Sequence, residues 1–446
     1  VKKTPDKGRV LIATEELVPG EIIFKEQAFI AASWDEDTCI SCLVSHPSSI
    51  CLKAKSSIPV GILDHLPHLE SEMEAIDGIE DIDKARILLK CFALYSHNHS
   101  STGKTNIQKL DDLIEELTGA NMERYRKTAS SLFQTEVKRV IPPELPVEKL
   151  AKLIAILNTN CHTLENVEGC ALFPSACLCE HSCVANANFS TSADILTLTA
   201  IKKIEPGQSI TLDYGENALF PTEERQLEMR ATYGFDCVCP GCTSLPDLTR
   251  PFVCPRDTSH VVYPRGGGLA GNDWQCSTCS YILSSKEVAG CLAQERVLHE
   301  DPPTTLEEIY DTATGGQLYL WHHMFFHPLR ECGLEAASNN NGVDLNKIWT
   351  DIIECMEKII QGPNSEKMIL YDEAAQVYVK LGDIAKAKQL YMKAFETAKL
   401  CIGPPEQTKS AEFLRFAQDT PTSVEELMNR MEKEKFELLS TLEKAE

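Results

Sequence analysis

The sequence predicts an α+β protein: a split β-rich unit carrying a helical insertion, a cysteine-clustered segment behind it, and an all-helical C-terminal domain. Three observations predict this. Short apolar runs punctuated by Pro-Gly turns stand at 8–30 and again at 195–214. Apolar residues recur at helical spacing through 81–157 and again from about 286. Between the second strand region and the final helices, cysteines crowd into 237–279. At 446 residues the chain can hold two or three cores, at about 150 residues each.

In chain order, residues 1–38 read as strands. Val10, Leu11 and Ile12 precede the turn Val18-Pro19-Gly20, and Ile22, Ile23 and Phe24 follow it. Proline fixes φ there and glycine accepts the positive φ of a tight turn. Residues 39–80 carry Cys39, Cys42, His46 and Cys51 and are read as a linker or the remnant of a metal finger, with no zinc assigned. Across 81–157, three sets repeat at helical spacing: Ile87, Leu88 and Phe92; Leu110, Leu113, Ile114 and Leu117; Leu150, Leu153, Ile154 and Leu157. A loop at 97–106 is expected to interrupt them.

Residues 158–235 return to strands at 195–201 and 209–214, around a second turn, Glu205-Pro206-Gly207-Gln208. Residues 236–285 form a cysteine-bearing segment with a flexible loop at 265–268. Residues 286–446 are helical. Within them Leu381-Gly382-Asp383, followed by Ala387, Tyr391 and Ala394 and closed by Gly403-Pro404-Pro405, resembles a tetratricopeptide-like helical pair.

Composition narrows the function classes. Hydrophobic residues at 43% and charged residues at 24% describe an ordinary globular chain. No apolar run reaches the roughly 20 residues of a membrane span. The charged N-terminus is unlike a signal peptide, and its opening on Val1 rather than Met reads as a fragment or processed form. A net charge of -23, with no Lys/Arg cluster and no basic recognition helix, argues against nucleic acid; it suits basic partners such as Lys-rich tails, though on charge alone it need only keep the chain soluble. The 19 cysteines gather as Cys-x-Cys-x-x-Cys and Cys-x-x-Cys units. Such spacing suits thiolate coordination of zinc in a reducing compartment, the nucleus or cytoplasm.

The most informative stretch runs from Asn160 to Cys242. It holds Glu180-His181-Ser182-Cys183-Val184-Ala185-Asn186, then the apolar strand Ile210-Thr211-Leu212-Asp213-Tyr214-Gly215, then Tyr233-Gly234-Phe235-Asp236-Cys237-Val238-Cys239-Pro240-Gly241-Cys242. In this order and spacing they resemble the SET domain of protein methyltransferases with the zinc-binding segment behind it. Lys7-Gly8-Arg9 and Pro19-Gly20-Glu21 resemble its first segment. The helical insertion and the helical C-terminal domain make the chain similar to the SET-and-MYND (SMYD) family, in an arthropod SmydA-like branch. Its MYND finger is effectively missing.

The resemblance implies S-adenosylmethionine-dependent methylation of a lysine on a protein substrate, such as a histone tail, with no direct nucleic-acid or membrane partner. Tyr214 and Tyr233 match the catalytic tyrosines, and Phe235 matches the wall of the lysine channel. Tyrosine and phenylalanine in strands are otherwise ordinary core residues. Lys7, Arg9, Tyr95, Asn160, Cys177, Glu180, His181 and Phe235 fall at positions that approach the cofactor. Glu180 replaces the family's Asn: an amide both donates and accepts, whereas an ionised carboxylate only accepts. That exchange also admits a catalytically weak or inactive adaptor that binds partner peptides through its helical domain.

Cys237, Cys239 and Cys242 supply three thiolates, and the resemblance makes Cys183 the fourth ligand of a closed structural zinc site. Cys254, Cys276 and Cys279 suggest a second site, with His260 as the preferred fourth ligand. Asp257 stands there where a cysteine would be expected.

Overall fold

The computed structural model describes residues 1–432 apart from 5–7, 36–37, 42, 44–46, 50, 80, 97–100, 117–121, 165–168, 193, 216, 266–273, 340–342 and 404–409. Lys7, Cys42, His46 and most of the glycine loop at 265–268 therefore lie outside the described residues.

Strands β1 (Lys2–Thr4) and β2 (Gly8–Val10) form a short antiparallel pair, and β3 (Ile22–Gln27) and β4 (Ile30–Ser33) follow. Gly20 and Gly207 sit at φ +88° and +87°, as their Pro-Gly turns require. The insertion comprises α1 (Leu52–Ser57), α2 (Val60–Leu63), α3 (Leu66–Glu74), α4 (Ile82–Ser96), α5 (Ser101–Glu116), α6 (Met122–Leu132) and α7 (Val147–Asn160). Two expectations change here. Residues 39–80 are no linker: Cys39, Ile40, Cys51, Leu66 and Met73 share one core with the helices after them. Cys51 accepts the Ala54 N–H at 3.4 Å and caps α1, a local use of the sulfur. Residues 101–106 of the expected loop are helical, because α5 begins at Ser101, while 97–100 lie outside the described residues. Buried Arg86 ties the bundle to the strands. It donates to Glu70 at 2.7 Å and to the carbonyls of Ser33, Asp35 and Thr38.

The strands resume as β5 (Cys161–Leu164), β6 (Gly169–Leu172), β7 (Glu180–His181), β8 (Ala187–Ser192), β9 (Ile195–Ala200) and β10 (Thr211–Leu212). One sheet orders β4-β6-β5 and another β3-β9-β8, while β7 pairs with β10 in parallel. The expected strand at 209–214 is thus only two residues long, since the chain leaves the sheet to present Asp213 and Tyr214. Helix α8 (Thr222–Glu228) runs into a π-helical turn, Met229–Tyr233, and Gly234 at φ +75° ends it. Such turns redirect a side chain without breaking the helix, and here the redirected residue is Tyr233.

After α9 (Pro240–Thr243), strands β11 (Phe252–Cys254), β12 (Asp257–Tyr263) and β13 (Gln275–Cys276) form a small antiparallel sheet. Helices follow: α10 (Ser285–Glu300), α11 (Leu306–Gly315), α12 (His323–Asn339), α13 (Leu345–Ile359), α14 (Ser365–Lys380), α15 (Ile384–Cys401) and α16 (Ser410–Gln418). Paired Ser284/Glu287 and Thr305/Glu308 capping boxes start α10 and α11, satisfying N–H groups that the first turn leaves unpaired. The expected hairpin is α14–α15. Gly382 turns it at φ +75°, Asp383 caps α15 through the Lys386 N–H at 3.0 Å, and Ala387 and Ala394 are fully buried.

The small sheet shares its core with these helices through Phe252, Val262 and Trp274, so the expected boundary near 285 divides one packed unit. The helical half docks on the β3-β9-β8 sheet. Asn188 donates to Ser365 Oγ and to the Cys401 carbonyl at 2.9 and 3.2 Å, and Ser190 donates to the Ile402 carbonyl at 3.1 Å.

Candidate functional site

Three separate stretches are stitched together by backbone hydrogen bonds. The Leu11 N–H donates to the Leu178 carbonyl at 2.8 Å, Ile210 N–H to Leu11 at 2.9 Å, and Glu180 N–H to Ile210 at 3.1 Å. This brings β2, which carries Arg9, beside the 176–181 segment and β10. Asn160 ends α7, its amide donating to the Ile156 carbonyl at 3.2 Å and to Thr159 Oγ1 at 2.8 Å. Cys177 lies against it, Sγ 3.7 Å from the Asn160 carbonyl. Of the residues singled out for a cofactor, Arg9, Asn160, Cys177, Glu180 and His181 thus sit on adjoining segments. Tyr95 does not join them in the contacts it makes: its hydroxyl bonds Asp111 and its ring lies 4.9 Å from the Lys149 ammonium, inside the helical bundle.

Around β10 the aromatic residues converge. The rings of Tyr214 and Tyr233 are 5.0 Å apart, His181 and Tyr214 5.2 Å, His181 and Phe235 5.9 Å, and Tyr233 and Phe235 6.3 Å. Tyr214 donates its hydroxyl hydrogen to the Cys179 carbonyl, and Tyr233 donates to the Tyr214 carbonyl at 3.2 Å. Burial raises both phenols, Tyr233 to about 12 with Glu228 and Asp213 adding to the effect. Both rings are therefore neutral near pH 7 and leave oxygen lone pairs as acceptors.

Beside the aromatics lies a knot of four sulfurs. Cys183 Sγ is 3.9 Å from Cys237 Sγ and 3.5 Å from Cys242 Sγ, and ligand atoms of Cys183, Cys237, Cys239 and Cys242 all fall within 4.8 Å. Zinc–sulfur bonds of about 2.3 Å in a tetrahedron place sulfurs about 3.8 Å apart, so the donor set fits that ion. Bonding with Cys183 holds the Cys237 and Cys239 thiols below the ordinary range, Cys239 at about 5. The four cysteines come from the turn after β7 and from residues 237–242, before and within α9, so a metal held there would fasten the Tyr233–Phe235 segment to the strands.

His181 joins the two features. Its side chain is 2% exposed. Nδ1 accepts the Tyr214 N–H at 3.2 Å, which fixes the hydrogen on Nε2, and that nitrogen faces Cys183 Sγ at 3.3 Å. With both nitrogens engaged inside the protein, the imidazole positions Tyr214 against the thiolate knot, and only the backbone of His181 remains for a ligand. Burial raises the Asp213 carboxyl above its usual range, 3.9 Å from His181 Nδ1.

Sequence reasoning missed Arg225 and Asp247. Buried Arg225 donates to the carbonyl of Phe220, to Thr222 Oγ1 at 2.9 Å and to the Gly241 carbonyl at 3.5 Å, and its charge lies close to the knot. Asp247 accepts from the Thr222 N–H at 2.8 Å. Burial opposes its charge, but Arg225 and these bonds hold the carboxyl low. Neither residue belongs to a motif, so only their meeting in space identifies them. They line a cavity of about 530 Å³ between the knot and the α13–α14 connection, with Asn188, Lys202, Asp213 and Glu366.

The second expected cluster also assembles: ligand atoms of Cys254, His260, Cys276 and Cys279 lie within 4.8 Å of one another. A third group, Glu295, His322 and His323, is close enough for a metal. Its carboxylate, however, is already gripped by Arg250 through bonds of 2.8 and 2.6 Å and by His322 at 3.0 Å.

Residues 8–215 match the SET domain family. The chain is similar to N-lysine methyltransferase SMYD2-A of Danio rerio, 36% identical over 259 residues, covering 54% of this chain and 59% of the relative. It is 25% identical over 258 residues to N-lysine methyltransferase SMYD2 of Gallus gallus, covering 54% and 58%. To histone-lysine N-methyltransferase SMYD3 of Mus musculus it is 27% identical over 258 residues, covering 54% and 60%. The chain thus spans a little over half the length of the curated relatives it matches.

Proposed function

We propose that this chain is a SET-and-MYND protein-lysine N-methyltransferase that uses S-adenosylmethionine, with a structural zinc ion in the Cys183/Cys237/Cys239/Cys242 knot. The observation that carries the reading is the Tyr214–Tyr233–Phe235 aromatic wall held against that knot, within and just beyond a segment that matches the SET domain. The cofactor would supply an electrophilic sulfonium methyl. The charges on the adjoining segments suit its amino-acid end: the Arg9 cation for its carboxylate, the Glu180 carboxylate for its ammonium.

The chain's own task is to present a neutral lysine nitrogen. Free lysine, with a pKa of about 10.4, is nearly all charged at pH 7. Desolvation between aromatic rings disfavours the ammonium and eases loss of its proton. Tyr214 and Tyr233 are poor proton acceptors in their neutral form, so they orient the amine through oxygen lone pairs and do not act as bases. The proton leaves to water. The rings of Tyr214, Tyr233 and Phe235 would hold that nitrogen lone pair toward the methyl the cofactor would supply.

The same reading gives the cavity beside the knot a role as the cleft for the substrate polypeptide, walled by the tetratricopeptide-like helical half. A basic tail such as a histone's suits an acidic chain, and the nucleus or cytoplasm suits its reduced cysteines. A second reading, an adaptor with weak or no catalysis, draws on Glu180 in place of the family's Asn. Two measurements separate them: calorimetric titration of S-adenosylmethionine into the protein, and methyl transfer to lysine-rich peptides. Binding with transfer supports the enzyme. Absence of both, with zinc present in the knot, would discard it for the adaptor.

A further inference from the structure

We infer that Cys254, His260, Cys276 and Cys279 form a second zinc site, distinct from the knot, in which His260 binds through Nδ1 and Asp257 holds the imidazole in place. The inference stands apart from any methyl-transfer activity. The first observation is convergence: β11 supplies Cys254, β12 supplies His260, and β13 with its following turn supplies Cys276 and Cys279, all within 4.8 Å. The Cys254–Cys279 sulfur separation is 3.8 Å, the spacing that two ligands of one tetrahedral zinc adopt, about 3.8 Å.

The second observation is an orphan. His260 Nδ1 is buried and has no hydrogen-bond partner among the described residues, a costly state for a ring nitrogen that a metal among the three sulfurs would relieve. Its other nitrogen, Nε2, lies 3.6 Å from Asp257 Oδ2. Metal-bound histidines commonly set their second nitrogen toward a carboxylate, which fixes ring orientation. Asp257 is itself held, its Oδ1 accepting the Ser259 N–H at 2.9 Å and the Ser259 hydroxyl at 2.7 Å. The residue that looked like a lost ligand is therefore a positioning residue for the ligand that replaced it.

The third observation is the turn. Cys276 Sγ accepts the N–H groups of Thr278 at 3.5 Å and Cys279 at 3.3 Å, so the backbone wraps this sulfur with two donors. Donation to sulfur from the backbone favours the thiolate that a metal needs. Three short strands bury few apolar side chains of their own, and small units of this kind depend on staples. Zinc here would fix the sheet that inserts Phe252 and Trp274 into the helical core.

The test is zinc counting on the purified full chain. About two zinc ions per chain are expected. His260→Ala and Cys276→Ser should each lose one ion while keeping the knot's, and Cys242→Ser should lose the other. Asp257→Asn should keep the stoichiometry but give up its zinc to a competing chelator about 10-fold or more sooner. If the truncated variants fail to fold, His260→Cys replaces the nitrogen with a fourth thiolate. It should retain both ions and shift the cobalt(II) absorption toward the tetrathiolate type. Wild-type zinc content in His260→Ala and Cys276→Ser, or a cobalt spectrum unmoved by His260→Cys, would overturn the assignment.

Discussion

The knot and the second cluster gather similar donor atoms among very different neighbours. The knot joins residues far apart in sequence, Cys183 after β7 and Cys237–Cys242 at α9, and its neighbours are His181, Tyr214 and Tyr233. The second cluster draws all its ligands from one three-stranded sheet, and its neighbours are Phe252, Trp274 and Arg250, which belong to the helical core. Cys279 is exposed, whereas Cys237 and Cys242 are buried. Long-range closure around aromatic rings makes the knot part of the site's geometry. Local closure on a sheet makes the second cluster part of the fold.

The largest effect should follow from opening the knot. Cys242→Ser removes one of four thiolates and frees the Tyr233–Phe235 segment from the strands. Methyl transfer should then fall on the order of a thousandfold or more, since misplacing aligned groups by about 1 Å already costs about a hundredfold. Cys276→Ser, made in parallel, should leave transfer within about tenfold while lowering thermal stability. Equal loss of turnover in both variants would erase the contrast.

Next comes a change within the aromatic wall. Tyr233→Phe keeps the ring and the knot but deletes the hydroxyl that bonds the Tyr214 carbonyl. Turnover should drop on the order of a hundredfold with little change in cofactor affinity, as expected when a contact belongs to the transition state. The pH profile should also be informative. Because the Tyr233 phenol sits at about 12, wild-type activity should climb from pH 7 to about 10 with the substrate lysine. Tyr233→Phe should climb in parallel. An inflection that vanishes in the variant would make Tyr233 a base.

The helical half has its own anchor, and breaking it should cost stability without touching the metal. Glu295 is 13% exposed between Arg250 and His322. Burial opposes its charge, yet bonds from Arg250 and His322 hold its carboxyl at about 2. Glu295→Gln should destabilise the protein by about 3 kcal/mol at pH 7, mostly by leaving Arg250 buried without its anion. The sign follows from a carboxyl lowered in the folded state. Its stabilisation is full above the unfolded value of about 4.3 and disappears as pH falls toward 2. The gap between wild type and variant in denaturation midpoint should narrow over that window. Zinc content should not change.

What was legible in the sequence was local. The two Pro-Gly turns, the helical periods and the cysteine triplet Cys237/Cys239/Cys242 are short-range patterns, and each stands where the residues suggested, apart from Leu117, which lies outside the described residues. What was not legible depends on partners distant in sequence. His181 has a motif but its clamp on Tyr214 and Cys183 does not, and Arg225 and Asp247 have no motif at all. Cys51 and Tyr95 carry chemistry-bearing side chains, yet one caps a helix and the other bonds Asp111 within the bundle. A residue type states what a side chain can do; the neighbours that packing brings decide whether it does.

The smallest effect expected, and the one that bears on whether the knot's neighbourhood is a working site, concerns Glu180. It lies in β7 opposite Thr211, one residue before the buried His181, with its backbone N–H bonded to Ile210. The backbone is thus fixed by the sheet, and exchange of the side chain should leave the fold, the zinc and the Tyr214–Tyr233 spacing intact. A carboxylate at this place can accept from an ammonium but donates nothing, and Arg9 on the adjoining strand supplies the complementary charge. If Glu180 is an adapted ligand, Glu180→Asn should weaken S-adenosylmethionine binding by about two- to fivefold, the worth of one exposed charge contact in water. Glu180→Gln, of the same length and without charge, should weaken it similarly. That agreement would assign the effect to charge and not to reach. A gain of affinity in Glu180→Asn would instead make the carboxylate an obstacle, and the adaptor reading would then describe the wild-type chain better than the enzyme does.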